Sequence, residues 1–98
     1  MLIRIVKMTF KSESVTDFLA VFNNSKQRIR HFQGCTHLEL LHEIGNPEII
    51  YTYSHWQSQQ DLEAYRNSPL FAETWALTKI HFAKKAEAWS MERLEEVD

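Results

Sequence analysis

The groups in this chain that could bind a small molecule or move a proton on one are five histidines, three tryptophans and three tyrosines among 98 residues. His37 and Glu39 stand two residues apart in a stretch that alternates like a strand, so both project from one face. That geometry suits a base beside the carboxylate that orients it, or a chelating pair, and equally a solvated polar pair at a rim. His42 falls on the opposite parity, and His31, His55 and His81 are scattered elsewhere. No two histidines stand four apart in a helical stretch, and a single cysteine cannot build a thiolate zinc site, so no metal centre is expected. The chain also lacks a Gly-x-Ser-x-Gly elbow, and with two glycines it has no glycine-rich phosphate loop. Covalent catalysis through serine and phosphate-anchored nucleotide cofactors are therefore disfavoured. The segment from His55 through Trp56-Gln57-Ser58, followed by Leu62, Tyr65 and Ser68-Pro69-Leu70-Phe71, gathers bulky aromatics where a strand hands over to a helix. A tryptophan at such a corner fills the space between layers and leaves an indole N–H that needs a partner from backbone, water or ligand.

The elements that must position these residues follow from periodicity. LIRIVKMTF, from Leu2 to Phe10, alternates as a strand. Ser14 with Asp17 three residues on resembles a capping box, and Val15, Phe18, Leu19, Phe22, Ile29 and Phe32 then recur at helical spacing to about Gly34. Cys35 to Ile44 reads as a strand, Gly45-Asn46-Pro47 as a turn, and Glu48 to Trp56 as the second arm of a hairpin. Ser58 caps a short helix to Asn67. Ser68-Pro69 supplies a fresh cap and first-turn proline for a helical stretch to about Ala83, with Phe71, Trp75, Thr78 and Phe82 inward. Lys84 to Leu94 alternates again, with Glu87, Trp89 and Met91 on one parity and Ala86, Ala88 and Ser90 on the other.

This β-α-β-β-α-β order predicts an α+β domain of ferredoxin-like topology spanning 1–98, a four-stranded antiparallel sheet with two helices on one face. The strands are apolar on both parities: Leu2, Val6, Met8 and Phe10 oppose Ile3 and Ile5, and Ile50 and Trp56 oppose Ile49, Tyr51 and Tyr53. A sheet with one wet face is polar there, so the second face is expected to bury itself against an identical sheet in a homodimer.

A net charge of −2 with acids and bases interspersed argues against nucleic-acid binding. The basic run Lys26 to Arg30 closes a helix, where it complements the negative end of the dipole. With one cysteine, no signal core and no apolar run long enough to cross a membrane, the expected location is the reducing cytoplasm, with no membrane partner. Cys35, opening a strand beside Gly34, is expected to serve as a small buried hydrophobe.

Over nearly its whole length the chain resembles the antibiotic biosynthesis monooxygenase family, small dimeric α/β-barrel domains of ferredoxin-like topology. The resemblance rests on the alternating opening strand, the helical stripe that follows, a third strand ending in Trp56, the lead Trp56-Gln57-Ser58-Gln59-Gln60 into a helix, and Ser68-Pro69-Leu70-Phe71. It implies a pocket in each protomer between sheet and helices, and sheet-to-sheet dimers. Some members oxygenate polycyclic phenols or quinols without metal or flavin, the substrate's own carbanion reducing oxygen; others degrade haem or process small signalling molecules. The pocket tryptophan of the cofactor-free oxygenases is matched by Trp56. Their asparagine four residues earlier is replaced by Thr52 and their tyrosine six residues later by Leu62. Where the haem-degrading pattern has an asparagine, a tryptophan and an axial histidine, this chain has Val6, Tyr65 and Trp75, so haem is not expected.

The resemblance thus implies a monooxygenase acting without cofactor on an aromatic, quinol-type molecule. Trp56 and Trp75 would line the pocket, Thr52 and Tyr65 would hydrogen-bond the substrate, and a histidine, His37 ahead of His42, would act as general base. The alternative is a non-catalytic dimeric module that binds a small ligand.

Overall fold

A computed structural model describes residues 1–98. Strands β1 (Leu2–Thr9), β2 (Cys35–Glu43), β3 (Asn46–Trp56) and β4 (Glu87–Glu92) form one antiparallel sheet in the order β2-β3-β1-β4. Helices α1 (Val15–Arg30), α2 (Gln59–Arg66) and α3 (Pro69–Lys79) accompany it, giving the expected ferredoxin-like α+β fold. The second helical layer is broken in two because Asn67 ends α2 and Ser68-Pro69 starts α3 afresh. The Ser68 hydroxyl accepts from the Phe71 amide at 3.1 Å, as Ser58 does from the Asp61 amide at the start of α2. Ser14 behaves differently from the capping-box expectation. A 3-10 turn over Ser12–Ser14 runs straight into α1, so Ser14 already has helical dihedrals and its side chain makes no capping bond.

The register separates two faces. Leu2, Arg4, Val6 and Met8 of β1 lie beside Trp56, Ser54, Thr52 and Ile50 of β3, on the side covered by helices. Ile3, Ile5 and Lys7 lie beside His55, Tyr53 and Tyr51 on the other side. The covered side holds its large residues at its two ends. Leu2, Cys35, Trp56 and Leu62 form one core cluster, and Met8, Phe10, Phe18 and Ile50 the other. Between them the sheet presents shorter side chains, Val6, Thr52, Ser54 and Ala88, with Ala86 just before β4, which leave the space under the helices unfilled. Cys35 is buried in the first cluster, as a small hydrophobe should be.

Two glycines hold positive φ, Gly34 at 90° and Gly45 at 86°. Gly45 turns the β2–β3 hairpin. At Gly34 the constraint is double, because a Cβ there would lie 2.3 Å from the Cβ of Asp61 in α2.

Candidate functional site

The unfilled space is a cavity of about 280 Å³ between the sheet and all three helices, near the lower end of the ~300–1,000 Å³ common for small-molecule sites. Its wall is largely aromatic and aliphatic. Trp56 from the end of β3 stacks on Tyr65 of α2 with ring centroids 5.0 Å apart. Tyr65 meets Phe71 edge-on at 5.3 Å, and Phe71 stacks on Trp75 at 5.6 Å with the planes 11° apart. The helical repeat of α3 explains the last pair, since residues four apart share a face. Val6, Met8, Phe18, Phe22 and Leu38 are among the other apolar residues of the lining. The polar groups reaching it are few: Thr52, Ser54, Tyr65, Thr74, Thr78, Arg4 and Arg66.

Several of these are already engaged within the chain. The indole N–H of Trp56, 1% exposed, donates to the Ser54 hydroxyl at 3.0 Å, so the N–H finds its partner in the strand below it. The Thr78 hydroxyl donates to the Thr74 carbonyl at 2.7 Å. Tyr65 is different. Its hydroxyl has no hydrogen-bond partner in the chain, and since no side-chain polar atom is both sealed from solvent and unpaired, it keeps some contact with solvent, while the residue itself forms part of the cavity wall. Burial, with a smaller contribution from the neighbouring Cys35 thiol, pushes the phenol up to about 12. At neutral pH Tyr65 is therefore a hydrogen-bond donor and not a base.

Four of the five residues expected at the site, Thr52, Trp56, Tyr65 and Trp75, do line one cavity. His37 does not. It pairs with His55 on the opposite side of the sheet, where its Nε2 lies 2.5 Å from Glu39 Oε2 and its ring 4.9 Å from that of His55. The cause is an irregularity in β2: Cys35 is opposite Trp56 but His37 is opposite His55, so one extra residue, Thr36, is inserted into the strand. Cys35 faces the helices, and the bulge reverses the parity of everything after it. His42 regains the helix-facing parity opposite Ile50, yet it is exposed beyond the cavity, with Nδ1 3.0 Å from the Glu43 carbonyl oxygen. No histidine and no carboxylate lines the cavity. The two arginines in its wall are the groups that sequence reasoning missed. Arg4 shares the parity of Leu2 and Val6, which was its only signal.

No cluster of three or more histidine, cysteine, aspartate or glutamate side chains is placed to hold a metal ion. Haem is also a poor fit, because Trp75 occupies the position where the haem-degrading pattern has its axial histidine and no other histidine reaches the cavity. No helix is long and apolar enough to cross a membrane.

A four-stranded ferredoxin-like sheet with an aromatic-walled cavity beneath its helices defines a class of small α+β domains. Within that class, the chain belongs to the antibiotic biosynthesis monooxygenase family, whose model matches residues 1–76. Solved structures agree on the fold. An antibiotic biosynthesis monooxygenase superimposes with a TM-score of 0.91 at 17% identity, covering 97% of this chain and 100% of that one. A conserved protein from Methanosarcina mazei Go1 gives 0.88 at 24% identity over 95% and 93% of the two chains. Rv0793 from Mycobacterium tuberculosis gives 0.88 at 14% identity over 99% and 98%. No curated protein matches the chain. At the level of the family, the domain stands among the monooxygenases.

Proposed function

We propose that the domain is a monooxygenase for an aromatic, quinol-type small molecule and works without metal or flavin. The observation that carries this reading is the Trp56–Tyr65–Phe71–Trp75 wall of the cavity, in whose lining the Tyr65 and Thr52 hydroxyls make no hydrogen bond within the chain. Flat rings fit between such faces, and the Tyr65 and Thr52 hydroxyls can hold a phenolic or quinone oxygen. Because the cavity contains no base, the substrate must ionise readily by itself, as anthrones and hydroquinones do, and lose its proton to solvent. The resulting carbanion gives an electron to oxygen, the two radicals join in a carbon–oxygen bond, and the peroxide loses water to leave a carbonyl. The protein's part is to orient the ring, exclude bulk water and stabilise the anion. The open sheet face, which carries Ile3, Ile5, Trp89 and Met91, is proposed to pair with the same face of a second copy.

The missing base favours one competing reading, a dimeric module that binds an aromatic ligand without turning it over. Oxygen uptake by metal-stripped protein over dihydroxynaphthalenes and anthrones separates the two. Uptake above the uncatalysed rate that falls at least tenfold in Tyr65→Phe supports the oxygenase. Ligand-dependent thermal stabilisation without uptake overturns it in favour of the binding module.

A further inference from the structure

Two guanidinium groups reach one largely apolar cavity, and no carboxylate is among its lining residues. Arg4 projects from the helix-covered side of β1, between Ser54 of β3 and Ser90 of β4. It is half-buried, its Nη1 donates to Ser90 Oγ at 2.9 Å, and it forms no ion pair. Arg66, the last residue of α2, comes to the same cavity from the helical layer. Its only acidic partner is Glu63 Oε1 at 3.4 Å, on the exposed side of the helix. Burial, then repulsion from Arg66, lowers the affinity of the Arg4 guanidinium for its proton, and Glu63 offsets part of this.

A cation held partly out of water, beside a second cation and with no ion pair of its own, works against stability. The fold itself does not ask for it. The neighbours of Arg4 on the same face of β1 are Leu2 and Val6, and an apolar side chain there would extend the core. Arginine also offers what an oxyanion needs, a planar fork of donors that pairs with carboxylate or phosphate oxygens.

We propose that Arg4 and Arg66 form an anion subsite, so that the pocket takes an aromatic ligand carrying a carboxylate or phosphate group, its rings along the Trp56–Trp75 wall and its acidic group at the guanidiniums. The proposal rests on the reading of the cavity as an aromatic-ligand pocket and specifies which aromatics enter it.

The test is equilibrium binding, by calorimetry, of 1-naphthol, 1-hydroxy-2-naphthoate and 1-naphthyl phosphate, which share a ring system and differ in the acidic group. For the native protein the better acid is expected to bind about ten- to hundredfold more tightly than 1-naphthol. Whichever acid gains more identifies the oxyanion as carboxylate or phosphate. Arg4→Gln is expected to erase most of that preference, read as the ratio of acid to 1-naphthol affinity, and Arg4→Lys to restore part of it. Arg66→Gln, on an exposed side chain, supplies a variant whose folding is not in question and is expected to reduce the preference by a smaller factor. Equal affinity for 1-naphthol and both acids overturns the anion subsite and leaves the aromatic pocket standing. So does a preference that survives in the Arg4→Gln and Arg66→Gln proteins. Binding of none of the three overturns both.

Discussion

At the scale of single residues, the pocket is held by hydrogen bonds that are satisfied beneath its wall and withheld at its surface. Trp56 is fixed by the Ser54 hydroxyl, and both groups are buried. Replacing Ser54 by Ala strands the indole N–H in the core and is expected to cost about 1–3 kcal/mol, read as a lower urea midpoint with an unchanged slope. In a Trp56→Phe background, where no N–H remains to be stranded, the same substitution should cost much less, and a double-mutant cycle measures the difference. Tyr65 makes the complementary case. Its phenol is pushed up to about 12 by burial, so the folded state keeps that proton when the unfolded chain, titrating near ~10, has lost it. The unfolded state then binds fewer protons, and the Tyr65 contribution to stability should be flat below about pH 10 and fall between about pH 10 and 12. Alkaline melts of the native protein and Tyr65→Phe check this, since the variant should lose part of that slope. Ligand binding that depends on Tyr65 as donor should not titrate between pH 6 and 9.

At the scale of elements, small departures from regular structure decide which side chains meet. Gly34 lets α1 return to the sheet beside α2: its carbonyl accepts from the Gln57 amide at 2.8 Å, and its missing Cβ makes room for Asp61. Gly34→Ala combines an unfavourable positive φ with a collision against a helix backbone-proximal carbon, and is expected to destabilise by about 1–3 kcal/mol. The equivalent change at the hairpin, Gly45→Ala, carries the positive φ alone, since nothing lies within 4 Å of the new carbon. It should cost less, and thermal unfolding of the two variants orders them. These elements also mark how far the sequence could be read. Alternation in β1, β3 and β4 was unbroken, so spacing alone grouped Val6 with Leu2 and Met8 and Ala88 with Ala86 and Ser90 on one parity, while the placing of Trp56 and Thr52 at a pocket came from the family resemblance. The helical stripe likewise brought Trp75 inward, although Leu19 of the α1 stripe stays 42% exposed. The side occupied by His37 was not legible, because a bulge at Thr36 adds one residue without any glycine or proline to announce it, and a one-residue slip moves every later side chain to the other face. Arg4 was hidden for a different reason. A charged residue in an alternating strand reads as solvent-facing, and only the gap left by Ser54, Ala86 and Ala88 lets it lie over the pocket.

At the scale of the whole molecule, the open face of the sheet remains, and it is too apolar to be an ordinary wet surface. Trp89 and Met91 are 43% and 45% exposed on β4, beside Ile5 and Ile3 of β1, and Leu41 is 46% exposed on β2. A second copy related by a two-fold axis would cover these side chains at once, and sedimentation at micromolar concentration is expected to give twice the chain mass. The same face carries a polar cluster that would make such pairing sensitive to acid. His55 lies 3.1 Å from the Tyr53 hydroxyl through Nε2 and beside the His37 ring, with Ile3 next to it on β1. Burial lowers its proton affinity most, followed by His37 and then Arg93, while Glu39 acts in the opposite sense. A second sheet laid over the cluster removes more water from it and extends the largest of these effects. A free protomer would therefore take up a proton on His55 more readily than a paired one. Pairing should be strongest above about pH 6.5, where His55 is neutral in both states, and weaken as the pH falls through and below that value. His55→Gln keeps a polar side chain that cannot titrate. The native protein should dissociate more at pH 5.5 than at pH 8, and the variant should show a smaller difference at the same concentrations. A native dimer equally tight at both pH values would remove His55 from the interface, and a monomer at both would remove the interface itself.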